Sequence, residues 1–299
     1  MTRLTLRASA KINLDLRIGG RRPDGYHDLQ TVFQTLDLHD TVTVEARRGA
    51  FALDGDPALM PLDQTNLVWR AAVALWRAAG KAGDPRGVRV RVTKRIPARA
   101  GLGGGSSDAA AALVGLSQLW RLPPTLRALL PVASALGADV PFFFIGGAAL
   151  GLGRGEQLYP LVNRPRRHVV VVLPDFGVST ADAYRWLAEQ RTADPGLRTS
   201  DFGLRTPDSG AWGLDPESCR NDLEAPVEQR YPAIGSIRRH LAGAGAEAAR
   251  MSGSGSAVFG LFSAEQAARR AAAGLARDGH RVVLTGTRPR SLVESRRLI

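Results

Sequence analysis

The residues best suited to chemistry lie in the run Pro97-Ala-Arg-Ala-Gly101-Leu102-Gly103-Gly104-Gly105-Ser106-Ser107-Asp108, which leads into an alanine-rich stretch. Glycine lets a backbone pass through positive φ and approach a ligand with no Cβ in the way. A loop of this composition running into a helix leaves free N–H groups converging at the positive end of the macrodipole, where a phosphate is favoured. The spacing is not that of the two commonest phosphate loops. No Gly-Lys-Ser/Thr follows, and Ser106 stands where Gly-x-Gly-x-x-Gly needs its last glycine. A plain serine cap would not require glycine at four of the five positions from 101 to 105.

Three further segments carry polar groups that could act with this loop. In Ala8-Ser-Ala-Lys11-Ile-Asn13-Leu-Asp15-Leu, a strand of period two would set Lys11, Asn13 and Asp15 on one face. Gly137-Ala-Asp139-Val-Pro141 offers a carboxylate in a small, apolar context at a helix end. Ser252-Gly253-Ser254-Gly255 is a second anion-friendly turn. Taken singly, a strand lysine more often snorkels, and an aspartate such as Asp139 more often caps a helix end or a turn. Their joint presence with the long glycine loop is what points to catalysis.

The elements that must position these groups can be read from periodicity. Thr2 to Leu6, Ile12 to Ile18 and the alternating run from Thr41 to Glu45 read as strands. Asn66 to Ala79 carries Leu67, Val68, Ala71, Ala72, Leu75 and Trp76 at helical spacing. Val88 to Thr93 is a strand with one wet face, the glycine loop follows it, and Ser107 to Trp120 and Leu126 to Leu136 are helices. Gly146 to Leu158 is a glycine-punctuated return. His168 to Leu173 opens a second unit, continued by helices over 181–190, 234–241 and 264–277 and by strands over 257–262 and 281–287. A loop-rich stretch from Arg191 to Ser218 interrupts it. Strands and helices segregated in this way predict an α+β fold with an antiparallel sheet, not a doubly wound nucleotide fold, divided near residue 160.

Bulk properties narrow the class. The chain has 299 residues, 44% hydrophobic and 23% charged, as in a soluble globular protein of two ordinary domains. The apolar run from Val140 to Leu152 is too short, and too broken by Pro141 and glycine, to span a bilayer. The start of the chain reads as a strand rather than a secretion signal, and Cys219 is the single cysteine, so the expectation is a reducing cytoplasm. The net charge of +12 suits either nucleic acid or polyanionic small substrates, or only reflects an arginine-rich composition. The arginines are scattered, without an aromatic-interleaved basic stripe, so no nucleic-acid partner is expected.

Pro97 to Ser107, Lys11-Ile-Asn13 and Ser252-Gly-Ser-Gly255 together resemble the three motifs of the GHMP small-molecule kinases. Within that family, Arg22-Pro-Asp-Gly25-Tyr26-His27, Gly137-Ala-Asp139-Val-Pro141-Phe and Asn221-Asp222-Leu223 resemble the branch that phosphorylates the tertiary 2-hydroxyl of 4-diphosphocytidyl-2-C-methyl-D-erythritol, in non-mevalonate isoprenoid synthesis. The resemblance runs from about Ala8 to the last strand and is weakest between Arg191 and Ser218.

It implies a ribosomal-protein-like β/α unit over 1–160 that binds ATP and a ferredoxin-like α+β unit over 161–299. It implies ATP and Mg2+, a small-molecule acceptor, no membrane, and a monomer or weak homodimer. Phosphates would lie against Pro97, Gly101, Leu102, Gly103, Gly104, Gly105, Ser106 and Ser107. Adenine would meet Asn66 and Lys94, although a strand-end lysine can also be merely solvated. Asp139 would take or orient the proton of the acceptor hydroxyl, with Lys11 favouring the ionised forms of both and Asn13 holding the methylerythritol. Tyr26 and Tyr184 would stack on cytosine, His27 would read its edge, and Phe33 would add a wall or simply be core; Thr180 would join the acceptor site. Asp28 is expected to face away from the substrate pyrophosphate. Magnesium would be held by ATP oxygens, water and Ser107 rather than by a carboxylate cage, so no metal-binding side chain is assigned. Other readings are a GHMP kinase for mevalonate, phosphomevalonate, homoserine or a sugar, which offer no base for Tyr26 and His27 to read; a non-catalytic relative, against which Lys11 and Asp139 argue; and an RNA binder whose affinity collapses with salt.

Overall fold

The structure is a computed structural model that describes residues 3–193 and 219–290. Two sheets organise it. The first holds β1 (Arg3–Arg21), β2 (His27–Ala50), β3 (Ala52–Asp54), β4 (Arg86–Thr93), β5 (Ala148–Leu152) and β6 (Gln157–Pro160), in the order β3-β4-β2-β5-β6 with β1 paired to β2. All its pairings are antiparallel except β3 with β4. The two pieces expected in the first eighteen residues are one long strand. It is broken by register shifts at Ser9/Lys11, Asn13/Asp15 and Ile18/Arg21.

Helices α1 (Leu67–Ala78), α2 (Gly104–Leu119), α3 (Leu126–Leu136) and α4 (Phe142–Ile145) belong to this first unit. α1 buries Val68, Ala71, Ala72, Leu75 and Trp76, the stripe that its sequence spacing predicts. α2 is built from small residues because it lies almost against the sheet. A Cβ at Gly115 would stand 2.6 Å from the Val44 side chain.

The second sheet holds β7 (His168–Leu173), β8 (Ala248–Met251), β9 (Val258–Phe262) and β10 (Arg281–Gly286), all antiparallel in the order β10-β7-β9-β8. Helices α5 (Thr180–Ala193), α6 (Glu224–Arg230), α7 (Pro232–Gly243) and α8 (Glu265–Arg277) complete the unit. The arrangement is α+β. The loop-rich stretch anticipated up to Ser218 lies, from 194 onward, outside the described residues.

β7 is an unbroken apolar run because both its faces are covered. Val170 and Val172 enter a core with Ile234, Leu241 and Phe262, whereas Val169 and Val171 enter one with Ile12, Val32 and Leu36 of the first sheet. β1 is shared in the same way. Ala8 packs in the first unit's core, Ala10, Ile12 and Leu14 in the layer between the sheets, and Leu16 and Ile18 in the second unit's core. Backbone bonds stitch the two units as well: Leu16 donates to Arg220 at 2.8 Å, and Arg288 donates to Thr35 at 2.9 Å. Among the described residues no helix is long and apolar enough to cross a membrane.

Candidate active site

A cleft of about 1250 Å³ opens where the two units meet. One side is walled by Lys11, Asn13, Thr31, Phe33 and Asp139, the other by Thr180 and Tyr184, and the glycine segments at Pro97–Gly103 and Gly253–Ser256 lie between.

Lys11 is buried on β1, and its ammonium donates to Asn13 Oδ1 at 2.6 Å. Asn13 in turn donates to Thr31 Oγ1 at 2.7 Å, which leaves that amide oxygen turned to the lysine. On the same wall Lys11 meets Asp139 Oδ2 at 3.5 Å, an open ion pair rather than a tight one. Asp139 follows α3 in a turn and is still about a third exposed, at 36%. Tyr184 sits near this carboxylate. Burial first, and the Asp139 charge second, push its hydroxyl up to about 12, so it stays protonated. Period two predicts that Asp15 joins Lys11 and Asn13, and here the structure corrects the sequence. The register shift between Asn13 and Asp15 turns Asp15 to Arg17 and to the backbone N–H of Arg220.

The glycine loop is fixed from three sides. Leu102 is buried and its carbonyl accepts from the Lys11 N–H at 2.9 Å, while the Gly101 carbonyl accepts from Ser252 Oγ at 3.0 Å. Gly103 caps α2 at φ +71, where a Cβ would stand 2.8 Å from Phe143 and 2.9 Å from Lys11. Only glycine fits there, and it brings no side chain to bond the first turn. The first intrahelical bond is donated by Ser107, so the N–H groups of Gly104, Gly105 and Ser106 precede it uncapped. Ser107 itself is buried and lines a groove on the other face of α2 with Thr5 and Ser9, not the cleft, so its expected magnesium contact is not supported.

The second turn is braced by a residue whose motif the sequence offered without a role. Asn221 donates to the carbonyls of Met251 and Gly253, both at 2.8 Å, and accepts from the Leu223 N–H. Asp222 accepts from the Ile18 N–H at 2.8 Å. Ser254 Oγ pairs with Thr180 Oγ1 at 2.9 Å, which ties this turn to the start of α5.

Two expected adenine contacts are placed differently. Asn66 does not wall the cleft: its side chain accepts from the Val68 N–H at 2.8 Å as the cap of α1 and donates to the Pro61 carbonyl. Lys94 lines the cleft, but it is neither solvated nor available. Its ammonium lies 2.5 Å from Asp40 and 2.7 Å from Asp108, all three side chains buried. Asp40 also accepts the N–H groups of Arg95 and Ile96, which shapes the approach to the glycine loop. Burial, and then the Asp40 charge against the pull of Lys94, leaves the Asp108 carboxyl pushed up to about 7. Sequence reading missed Asp40 and Asp108.

The aromatic residues are divided. His27 packs its ring on Tyr184 at 5.1 Å, one layer behind the cleft wall, and burial together with the Arg191 and Arg21 charges lowers its pKa, so it is neutral at pH 7. Tyr26 is 57% exposed with the Arg154 guanidinium 4.9 Å from its ring. Phe33 is both core and wall: it packs on Phe142 at 4.8 Å and shows an edge to the cleft beneath the Lys11 ammonium. Asp28 lies outside the cleft lining and pairs with Arg22 at 2.8 Å.

Residues 66–147 match the N-terminal domain of the GHMP kinases and residues 214–281 their C-terminal domain. The chain belongs to the GHMP kinases. It is 45% identical over 261 residues to the 4-diphosphocytidyl-2-C-methyl-D-erythritol kinase of Solibacter usitatus, covering 86% of this chain and 80% of that one. It is 42% identical over 286 residues to the enzyme of that name from Pelotomaculum thermopropionicum, covering 95% and 98%. A solved structure of 4-(cytidine 5'-diphospho)-2C-methyl-D-erythritol kinase superposes with a TM-score of 0.73 at 35% identity, over 95% of this chain and 99% of that one. The mevalonate kinase of Methanococcus jannaschii, at 0.66 and 11% identity, shares the fold. The chain is therefore an ATP-dependent kinase.

Proposed function

We propose that this kinase transfers the γ-phosphoryl group of ATP to the 2-hydroxyl of 4-diphosphocytidyl-2-C-methyl-D-erythritol, giving the 2-phosphate and ADP in the cytoplasm. The observation that carries the reading is the Lys11–Asp139 ion pair in the cleft beside Gly103, the N-cap of α2, in a chain 45% identical to an enzyme of that name. We read residues 1–160 as the ATP-binding unit and 161–299 as its partner, which joins the acceptor site through Thr180 and Tyr184.

In this reading the N–H groups of Gly104, Gly105 and Ser106 receive phosphate oxygens at the positive end of α2. Lys11, held on Asn13, sits beside the acceptor hydroxyl and Asp139. The hydroxyl oxygen forms the new bond to phosphorus as the bond to the ADP oxygen breaks, and Asp139 accepts the proton. Transfer of this kind places charge on peripheral oxygens, so positioning and electrostatics dominate. Tyr184, kept protonated, presents a neutral phenol beside Asp139 rather than a competing anion. His27 backs Tyr184 as a neutral ring and can both donate and accept, which suits the mixed edge of cytosine. Magnesium travels with ATP as its counter-ion. Because Ser107 opens to the opposite face of α2, no side chain is assigned to it.

ADP release in the presence of ATP and magnesium tests this with four acceptors: the cytidyl compound, mevalonate, homoserine and galactose. Turnover confined to the cytidyl compound is the expected result. Turnover with another acceptor would keep the phosphate site and overturn the assignment of Tyr184 and His27. ATP binding with no turnover on any acceptor would make the chain a non-catalytic relative.

A further inference from the structure

Among the described residues only Arg99 and Arg121 hold a positive φ without being glycine. Arg121, at φ +57, follows Trp120, the C-cap of α2, and its N–H and that of Leu122 bond back to Gln118 and Ser117. That is how helices ordinarily end, and it needs no further account. Arg99, at φ +54, ends no helix. It lies in the turn between Pro97 and Gly101, at a position where glycine would be free of the left-handed penalty.

The chain on both sides of Arg99 is tied down. Before it, the N–H groups of Arg95 and Ile96 are held by Asp40. After it, the carbonyls of Ala100, Gly101 and Leu102 accept from Ala257, Ser252 and Lys11. The backbone at 99 is thus dictated by its neighbours, and the arginine side chain earns nothing from packing: it is exposed and stands on the cleft wall beside Gly177. Strained non-glycine residues of this kind persist where the side chain has a task.

The charges of the cleft say which task. Lys11 faces Asp139, Lys94 faces Asp40 and Asp108, and Arg154 faces Glu156. Among the described residues Arg99 has no acidic partner. Arg95 and Arg281 share that lack, but neither holds a positive φ nor sits within the glycine loop.

We propose that the Arg99 guanidinium binds the polyphosphate chain of the nucleotide and makes the cleft prefer ATP and ADP over AMP. The proposal rests on the reading that phosphates lie against the loop from Gly101 to Ser106. Arginine fits because its planar fork takes two phosphate oxygens at once, and because its charge is permanent.

The test is calorimetric titration of ATP, ADP and AMP into the wild type, Arg99→Gly, Arg99→Ala and Arg99→Lys, with melting temperatures recorded for each. Arg99→Gly removes the charge and relieves the backbone together, so it is expected to melt no lower than the wild type and above Arg99→Ala. Its affinity for ATP and ADP is expected to fall roughly tenfold, the worth of one charge-assisted phosphate contact, with AMP within twofold. Arg99→Lys is expected to recover part of the loss. ATP binding by Arg99→Gly equal to the wild type would overturn the proposal, as would an equal loss for AMP. A melting temperature for Arg99→Gly well below the wild type would also count against it, since the side chain would then be held for packing. Failure of the wild type itself to bind ATP would instead sink the reading of the glycine loop.

Discussion

Two lysines line the same cleft and are buried to nearly the same degree, with side chains 5% exposed at Lys11 and 8% at Lys94, yet they are prepared for different work. Lys94 is neutralised: two buried carboxylates hold it at 2.5 and 2.7 Å, and one of them also binds the backbone that leads into the glycine loop. Lys11 has a neutral amide oxygen at 2.6 Å and a single carboxylate at 3.5 Å, so less of its charge is answered. Burial alone does not separate a structural cation from a reactive one. What separates them is how much of the charge the protein has already answered.

The comparison can be broken at either end. The largest expected effect is on stability. Lys94→Met would leave Asp40 and Asp108 as buried, uncompensated carboxylates, and stability measured by denaturant unfolding should drop by about 3–5 kcal/mol. Lys11→Met strands the neutral Asn13 amide oxygen and Asp139, which reaches water, and should cost clearly less while abolishing most turnover. If the two variants unfold alike, the contrast between the lysines fails.

Next in size is Asp139→Asn, expected to lower kcat by roughly two orders of magnitude or more with ATP affinity retained. Turnover within a few-fold of the wild type, in steady-state assays, would remove Asp139 from proton acceptance. His27→Ala should raise KM for the cytidyl acceptor about tenfold and leave KM for ATP unchanged, because it removes the support of Tyr184 and a base-reading ring. An equal rise for both ligands would contradict that role.

The last test concerns the triad itself. Asp108 holds its proton to about pH 7, whereas the unfolded chain releases it near the ordinary carboxylate value of 3.8. Between those limits the folded state binds the extra proton, so stability should decline as pH rises from about 4 to about 7 and level off above. Asp108→Asn should flatten that part of the profile in melting curves taken at several pH values. An unchanged slope would assign it to other groups.

Local pattern made much of this legible in the sequence. The helical stripe of α1, the apolar run of β7 and the glycine loop all follow from periodicity and composition, and period two brings Lys11 and Asn13 to one face. It fails two residues later, because a register shift at Asn13/Asp15 depends on the partner strand. Asp40 and Asp108 escaped notice since each looks ordinary in its own segment, and only the fold joins them to Lys94. Asn66 stands just before a helical stripe, a position that already marks a cap. α6 was missed because Pro226 reads as a breaker, while in a first turn it breaks no bond. β8 is four residues long and carries too little periodicity to see.

The strand β1 is made before every other described element, and its apolar side chains are distributed over three cores. Ile12 and Leu14 wait for β7 and β9, and Leu16 and Ile18 for α7 and α8. The segment at Thr35 and Leu36 is completed by Thr287 and Arg288, some 250 residues later by the numbering of the pairs. A nascent chain halted after β6 would therefore carry a glycine loop still lacking Ser252 and Ala257 and an unfinished strand, sticky along half its length. Completion of β1 and β2 thus waits on β7, β9 and the residues after β10, a long-range dependence written into the topology.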